Sequence, residues 1–371
     1  MTKILTVVGT RPEIIRLSCV VQLLDRTLEH VLVHTGQNWD DRLNAVFFRE
    51  LGLRPPDVHL GVDTSSLGST LAGVISGTER VLLEERPDAM LLLGDTNSCI
   101  AGVIARRLRI PVYHMEAGNR CFDLNVPEET NRRMVDHVAD FNLVYTEHAR
   151  RNLLSEGLHP RRIMLTGSPM REVLARYDAK IQASTVLNEQ GLTSGEYFLV
   201  SLHREENVDN PARLRRALAA LAAVHVRWSL PILVSTHPRT RTRLEELAPA
   251  AELVAGLTFH EPFGYPDYMR LQMGARCVLS DSGTISEEAS IVGFPAVTLR
   301  ESIERPEALD TGSIVVTGLE AAGVVEAIEF ALASRPAASP AEYAVPDTSR
   351  RVVSFILSTI RRHDEWAGIR R

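Results

Sequence analysis

Short apolar runs alternate with longer stretches in which apolar residues recur at helical spacing, the pattern of strands joined by crossover helices into a parallel sheet. Two such series run along the chain. The first predicts strands at Ile4–Val8, Val31–His34, Asp57–Leu60, Met90–Leu93, Val112–His114, Leu143–Tyr145 and Ile163–Leu165. The second predicts strands at Tyr197–Leu202, Ile232–Thr236, Leu253–Leu257, Val278–Asp281, Ala296–Leu299 and Ile314–Val316. Between Gly167-Ser168-Pro169 and Glu196 the strand signals vanish and the text turns polar and helical, which places the inter-domain connection there. The expectation is an α/β protein of two Rossmann-like, doubly wound domains, residues 1–169 and 170–348, with a ligand cleft between the C-terminal strand ends. Beyond the Pro/Ala-rich segment 335–346, Val352, Val353, Phe355, Ile356 and Ile360 share one helical face. A helix over about 349–371 is therefore expected to pack back on the first domain.

Composition narrows the partners. The chain has 371 residues, 44% hydrophobic and 24% charged, enough for two cores at roughly 150 residues each. A net charge of -6 and no Lys/Arg block argue against a nucleic-acid or polybasic membrane partner. No run approaches ~18 uncharged apolar residues, and the first apolar run stops at Gly9-Thr10-Arg11-Pro12-Glu13 without a cleavage site. Cys19, Cys99, Cys121 and Cys277 form no Cys-x-x-Cys pair and read as reduced residues of a cytoplasmic protein without a zinc site. Only two of the 41 basic residues are lysines, Lys3 and Lys180, and neither lies in a phosphate-loop or Schiff-base motif. An anionic ligand must be met by arginines.

No Gly-x-Gly-x-x-Gly follows any predicted strand, which counts against hydride transfer. After the first strand, Thr10 can cap a helix that begins near Pro12, bringing Arg11 and Arg16 to an anion-favouring N-terminus. The plainer account is a capped helix with solvated arginines. In the second domain, Ser280-Asp281-Ser282-Gly283-Thr284 lets a diphosphate approach backbone N–H groups, with Glu287 or Glu288 available to ribose hydroxyls. The plainer account is a Ser-capped helix with early glutamates, against which Arg305 and Arg11 offer charges to converge on the same cleft. Asp95 and Glu116 end neighbouring strands, and Glu128 and Glu129 follow Pro127. Adjacent parallel strands share one rim, so these carboxylates suit proton transfer, although each can also serve as a cap or salt-bridge partner. His203 and His237 sit at strand ends of the second domain as acids or phosphate donors. With no His-Glu-x-x-His spacing, no metal site is expected.

Seven segments, in order, resemble the non-hydrolysing UDP-N-acetylglucosamine 2-epimerase family: Gly9-Thr10-Arg11-Pro12-Glu13, Gly94-Asp95-Thr96, Glu116-Ala117-Gly118, Pro127-Glu128-Glu129-x-Asn131-Arg132, His203-Arg204-x-Glu206-Asn207, Asp281-Ser282-Gly283 and Glu304-Arg305-Pro306-Glu307. The resemblance covers about residues 4–318. It implies a GT-B-like arrangement, a UDP-sugar substrate, no cofactor and a homodimer. It also implies catalytic roles for Asp95, Glu116, Glu128 and His203, and substrate or UDP contacts for Arg11, Arg16, Arg132, His237, Ser282, Gly283, Thr284, Glu288 and Arg305. The implied reaction interconverts UDP-GlcNAc and UDP-ManNAc by elimination of UDP and its re-addition. Arg16 stands where the family commonly has lysine, and Glu205 where it commonly has arginine. Asn119-Arg120-Cys121-Phe122-Asp123 is more similar to the branch acting on 6-deoxy or modified UDP-acetamido sugars. Thr35-Gly36-Gln37-Asn38-Trp39-Asp40 lacks the text of members activated by a second UDP-GlcNAc. A hydrolysing 2-epimerase and a GT-B glycosyltransferase are the alternatives.

Overall fold

A computed structural model describes residues 1–37, 47–334 and 338–369. Asn38, Trp39 and Asp40 of the regulatory-loop comparison lie outside them, as does part of the Pro/Ala-rich segment. The chain forms two compact units, Met1–Arg176 with Glu342–Arg371, and Tyr177–Ala341.

The first unit is built on seven parallel strands: β1 (Lys3–Val8), β2 (Glu29–His34), β3 (Val58–His59), β4 (Ala89–Leu93), β5 (Val112–Met115), β6 (Phe141–Val144) and β7 (Ile163–Leu165). Their order is β3-β2-β1-β4-β5-β6-β7, so the winding reverses between β1 and β4. The central strands are apolar on both faces because helices cover both. Leu5, Val7, Met90, Leu92 and Val112 join one buried cluster with Val74, Val81 and Ala105 of the covering helices.

The second unit repeats the plan with β8 (Phe198–Leu202), β9 (Ile232–Thr236), β10 (Leu257–His260), β11 (Cys277–Ser280), β12 (Ala296–Thr298) and β13 (Val315–Val316). The order β10-β9-β8-β11-β12-β13 reverses between β8 and β11. Its core joins Phe198, Val200, Val234 and Leu279 to Leu221, Val224 and Ile328.

Two expectations need correction. The apolar run Leu253–Leu257 is not a strand: Ala251–Val254 forms a short helix, and β10 begins only at Leu257, opposite Ile232. Gly256, at φ +74° beneath the His225 ring, turns the chain between them, and a short apolar run does not carry that distinction. The unit boundaries also differ from 169/170 and 348/349. The helix Met170–Gln182 spans the first division, because Glu172 in its first turn accepts from Ser349 N at 2.7 Å and from the Ser349 hydroxyl. Residues from Glu342 already belong to the first unit, since Glu342 O accepts from Ser168 N at 3.0 Å and Tyr343 is fully buried. The helix Thr348–Thr359 that follows packs on the helix Arg11–Thr27, and Thr359 Oγ1 lies 2.7 Å from the Tyr113 hydroxyl.

Candidate active site

Doubly wound sheets bind ligands at the carboxyl edge where the strand order reverses. In the first unit that edge carries the turns after β1 and β4, with the turn after β5 beside them. Gly9 has no room for a side chain, because a Cβ would overlap the hydroxyls of Ser98 and Thr35. The helix Arg11–Thr27 starts at once with Pro12 in its first turn, and Glu13 reaches back to accept from Gly9 N at 2.5 Å and Thr10 N at 3.2 Å. Its second oxygen accepts from the Thr96 hydroxyl. Burial pushes the Glu13 carboxyl up to about 7 against these three donors, and the nearby Asp95 adds to the rise. Arg11 places its guanidinium 5.2 Å from the centre of the Phe47 ring.

Arg16, one turn further along, is buried and ion-paired to Glu116. Glu116 follows β5 at φ +63°, a conformation that costs a non-glycine residue of order 1–3 kcal/mol and persists where the surroundings over-determine it. A Cβ on Gly94 would lie 3.8 Å from Glu116 Oε2, so the Glu116 carboxylate rests against the backbone next to Asp95. Asp95 is ion-paired to Arg132, whose other nitrogen donates to Glu129 at 2.6 Å. Asn131 Nδ2 donates to Asp95 O at 3.1 Å. Arg132 and Glu129 come from the helix Pro127–Val138, where Glu128 is half-buried and Glu129 fully buried. Glu128 stands one turn from Arg132 on the same face. Asp95, Glu116, Arg16 and Arg132 are thus brought to one rim, while Arg11 stacks on Phe47.

Behind this rim lies a buried charge network that the sequence did not single out. His114 Nε2 donates to Gly94 O at 2.7 Å, and its Nδ1 faces Asp136 at 2.9 Å. Asp136 also accepts from Gly118 N at 3.1 Å and Arg120 Nη1 at 2.7 Å, and Arg120 continues to Glu156. Burial alone would raise the Asp136 carboxyl, but His114 and Arg120 hold it below the usual carboxylate range. One carboxylate therefore ties the turn carrying Asp95 to the turn carrying Glu116.

In the second unit the corresponding edge lies between β8 and β11. Asp281, fully buried, accepts from His203 N at 3.1 Å, Arg204 N at 3.0 Å and Asn207 Nδ2 at 3.2 Å. Its Oδ1 lies 3.1 Å from His203 Nδ1, which orients that ring with Nε2 turned away. Burial opposes ionisation of Asp281, yet His203 and these donors hold its carboxyl low. His237 caps the helix Pro238–Leu247, its ring centre 6.3 Å from that of His203. After Asp281, the hydroxyls of Ser282 and Thr284 lie 3.0 Å apart. A Cβ on Gly283 would sit 2.8 Å from Arg305 Nη1 and 3.7 Å from Arg204 Nη2, so two guanidinium groups flank this turn. Arg305 is held by Glu287 at 3.1 Å, and Glu288 accepts from Gln272 at 2.7 Å. The geometry is that of an anion cradle: small residues, hydroxyls and arginines at a helix start. Glu205 is ion-paired to Arg239 at 2.5 Å. Among the described residues, no group of three His, Cys, Asp or Glu side chains is placed to hold a metal ion, and no helix is long and apolar enough to cross a membrane.

Sequence reasoning assigned no role to Glu13 or Asp136, and named Asp281 only as part of the turn after its strand. The signal for Glu13 was present, since a third-position glutamate after Thr10 reads as a capping residue.

The profile of the UDP-N-acetylglucosamine 2-epimerase family matches residues 22–357. A UDP-N-acetylglucosamine 2-epimerase from Methanocaldococcus jannaschii is 35% identical over 343 residues, 89% of this chain and 92% of that protein. A UDP-2,3-diacetamido-2,3-dideoxy-D-glucuronate 2-epimerase from Pseudomonas aeruginosa is 33% identical over 360 residues, 95% of this chain and 99% of that protein. Among solved structures, the UDP-N-acetylglucosamine 2-epimerase from Rickettsia bellii superimposes with a TM-score of 0.91 at 42% identity, covering 98% of both chains. The Methanocaldococcus jannaschii enzyme in complex with UDP-GlcNAc and UDP gives 0.90 at 31% identity, covering 96% of this chain and 100% of that one. Two Rossmann-like units, each with its charged groups at the edge where strand order reverses, are thus explained by descent: the chain is an isomerase of the UDP-N-acetylglucosamine 2-epimerase family.

Proposed function

We propose that the protein is a non-hydrolysing UDP-N-acetylglucosamine 2-epimerase, interconverting UDP-GlcNAc and UDP-ManNAc. The proton on C2 is only weakly acidic, because C2 carries an N-acetyl group and no neighbouring carbonyl. Direct deprotonation is too costly, so the C2–H and C1–O bonds break together. A carboxylate takes the proton, UDP leaves with the C1–O electrons, and a 2-acetamidoglucal remains. UDP then adds back at C1 while a proton is delivered to the opposite face of C2, giving the epimer. Two faces require two proton carriers. Asp95, Glu116 and Glu128 are assigned to that relay, with His203 assisting. Stabilising the departing diphosphate is the main demand, and it is assigned to Arg11, Arg16, Arg132, His237, Ser282, Gly283, Thr284 and Arg305, with Glu288 accepting from the ribose hydroxyls.

The observation that carries this reading is the gathering of two candidate proton carriers at one rim with arginines, Asp95 paired with Arg132 and Glu116 with Arg16. Two carriers at one rim are what proton transfer on the two faces of C2 demands. Incubation with UDP-GlcNAc in deuterated water tests it: deuterium at C2 of recovered UDP-sugar is expected. Its absence, with UDP-GlcNAc unchanged, rejects the reaction for that substrate.

A second reading concerns the sugar alone. The Pseudomonas aeruginosa relative named for a diacetamido uronate matches across nearly the whole chain, at an identity close to that of the UDP-GlcNAc relatives. Turnover of a panel of UDP-acetamido sugars, followed by NMR, separates the two. We also take the enzyme to work as a cytoplasmic homodimer. No disulfide joins its four cysteines, in keeping with a reducing compartment, and sedimentation reads the dimer directly.

A further inference from the structure

Four acidic side chains gather around the turns after β1, β4 and β5: Glu13, Asp95, Glu116 and Glu129. Three have a guanidinium partner, since Arg132 serves Asp95 and Glu129 while Arg16 serves Glu116. Glu13 has none. Its carboxylate, in a residue only 2% exposed, is met by two backbone amides and one hydroxyl, dipoles rather than charges. The hydroxyl belongs to Thr96, the residue directly after Asp95, so the turn that carries Asp95 is fastened to Glu13.

We propose that Glu13 is a positioning residue of the reaction, which holds the Asp95 turn through Thr96 and loosens or tightens that hold with its own protonation state. The inference rests on the reading of Asp95 as a proton carrier. A buried carboxylate without a counter-cation is where a proton is most easily kept, and one beside a working carboxylate changes that neighbour's proton affinity by like-charge repulsion. Ionised Glu13 accepts from Gly9 N, Thr10 N and the Thr96 hydroxyl together, whereas protonated Glu13 has a weaker acceptor to offer them and holds the Asp95 turn less firmly. The other groups facing Glu13 do not compensate. Cys99, from the short helix after the Asp95 turn, stays a neutral thiol, pushed well up by burial and by Asp95, Glu13 and Asp136. On Glu13's own helix, Arg16 is spent on Glu116 and Arg11 lies against Phe47. Burial raises the Glu13 carboxyl to about 7, so that its proton exchanges near neutrality.

The test is a pH profile with matched variants. Wild-type kcat is expected to step near pH 7, and Glu13→Gln, similar in shape and uncharged throughout, is expected to lose that step. Thr96→Val removes a hydrogen bond that lowers the Glu13 value, and should move the step up by about one pH unit. A direct readout on unaltered protein is the 13C resonance of the Glu13 carboxyl, identified by its absence in Glu13→Gln. Titration near pH 7 supports the inference, and titration below about 5 overturns it. A Glu13→Gln profile that superimposes on wild type also overturns it. Asp95→Asn separates this from the reading beneath it. If that variant turns over normally, Asp95 is no proton carrier and both fall. If it is inactive while Glu13→Gln keeps the wild-type step, only the role of Glu13 falls.

Discussion

Arg16, buried in the second turn of the helix after β1, is ion-paired to Glu116, whose backbone stands at φ +63° after β5. The pair joins strands that are not neighbours in the sheet, since β4 lies between them. Removing Arg16 takes a buried cation away from buried Glu116. Arg16→Met is expected to destabilise the protein by about 3 kcal/mol, roughly 6–12 °C in Tm, and to abolish turnover. Arg16→Lys keeps the charge on a single nitrogen and should cost about 1 kcal/mol with measurable activity remaining. Thermal unfolding and steady-state rates check both, and equal Tm values for Arg16→Met and wild type would remove the pair from the account.

Asp281 gives a second prediction. Asp281→Asn keeps a side chain of the same size but weakens the hold on His203 Nδ1 and can present an amide N–H to it instead. Loss of about 10²-fold in kcat is expected, with a smaller change in KM, because the ring's orientation serves a proton transfer. An unchanged kcat would show that His203 does not act in the reaction.

Gly283→Ala places a methyl group 2.8 Å from Arg305 Nη1. Arg305 is anchored at its Nε by Glu287, so the guanidinium has little room to withdraw. Weaker UDP binding, about tenfold by calorimetry, is expected with little loss of fold, since the substitution touches the tip of one side chain. Tight UDP binding by Gly283→Ala would remove this turn from the diphosphate site.

Stability should fall on both sides of the window between 3.8 and 4.5 for separate reasons. Glu13 has a folded-state value raised from 4.5 to about 7, so its contribution is complete below 4.5 and is lost as pH rises through 7. Asp136 and Asp281 are held below their ordinary 3.8, so theirs is present above 3.8 and is lost as pH falls through their lower folded-state values. Chemical denaturation from pH 3 to pH 9 should show both slopes. In Glu13→Gln the slope between 4.5 and 7 should flatten while the slope below 3.8 remains.

Where an element is defined by its own residues, the chain could be read directly. The apolar runs around Leu5, Met90, Val200 and Leu279 are strands, because only a doubly covered sheet needs consecutive apolar residues of that length. The rim positions of Asp95 and Glu116 also followed from strand order alone. Residues defined by distant partners were not legible. Asp136 meets His114 across 22 positions, and Asp281 meets His203 across 78. No local spacing marks either pair. Glu13 was hidden differently, since its capping geometry is ordinary and only burial beside Asp95 makes it a titrating group. The run Leu253–Leu257 misled because Ala251–Val254 uses the same residue types in a helix.

The return of Thr348–Thr359 to the first unit has a consequence for biogenesis. Tyr113 and Thr359, in hydrogen-bond contact, are separated by 246 positions, and the whole of Tyr177–Ala341 is threaded between the two segments. During synthesis the uninterrupted unit can close as soon as Ala341 has emerged, while the earlier-made one waits with the apolar side of Arg11–Thr27 uncovered. Emergence from the ribosome and completion of folding therefore run in opposite order, and the half that carries Asp95 and Glu116 matures last.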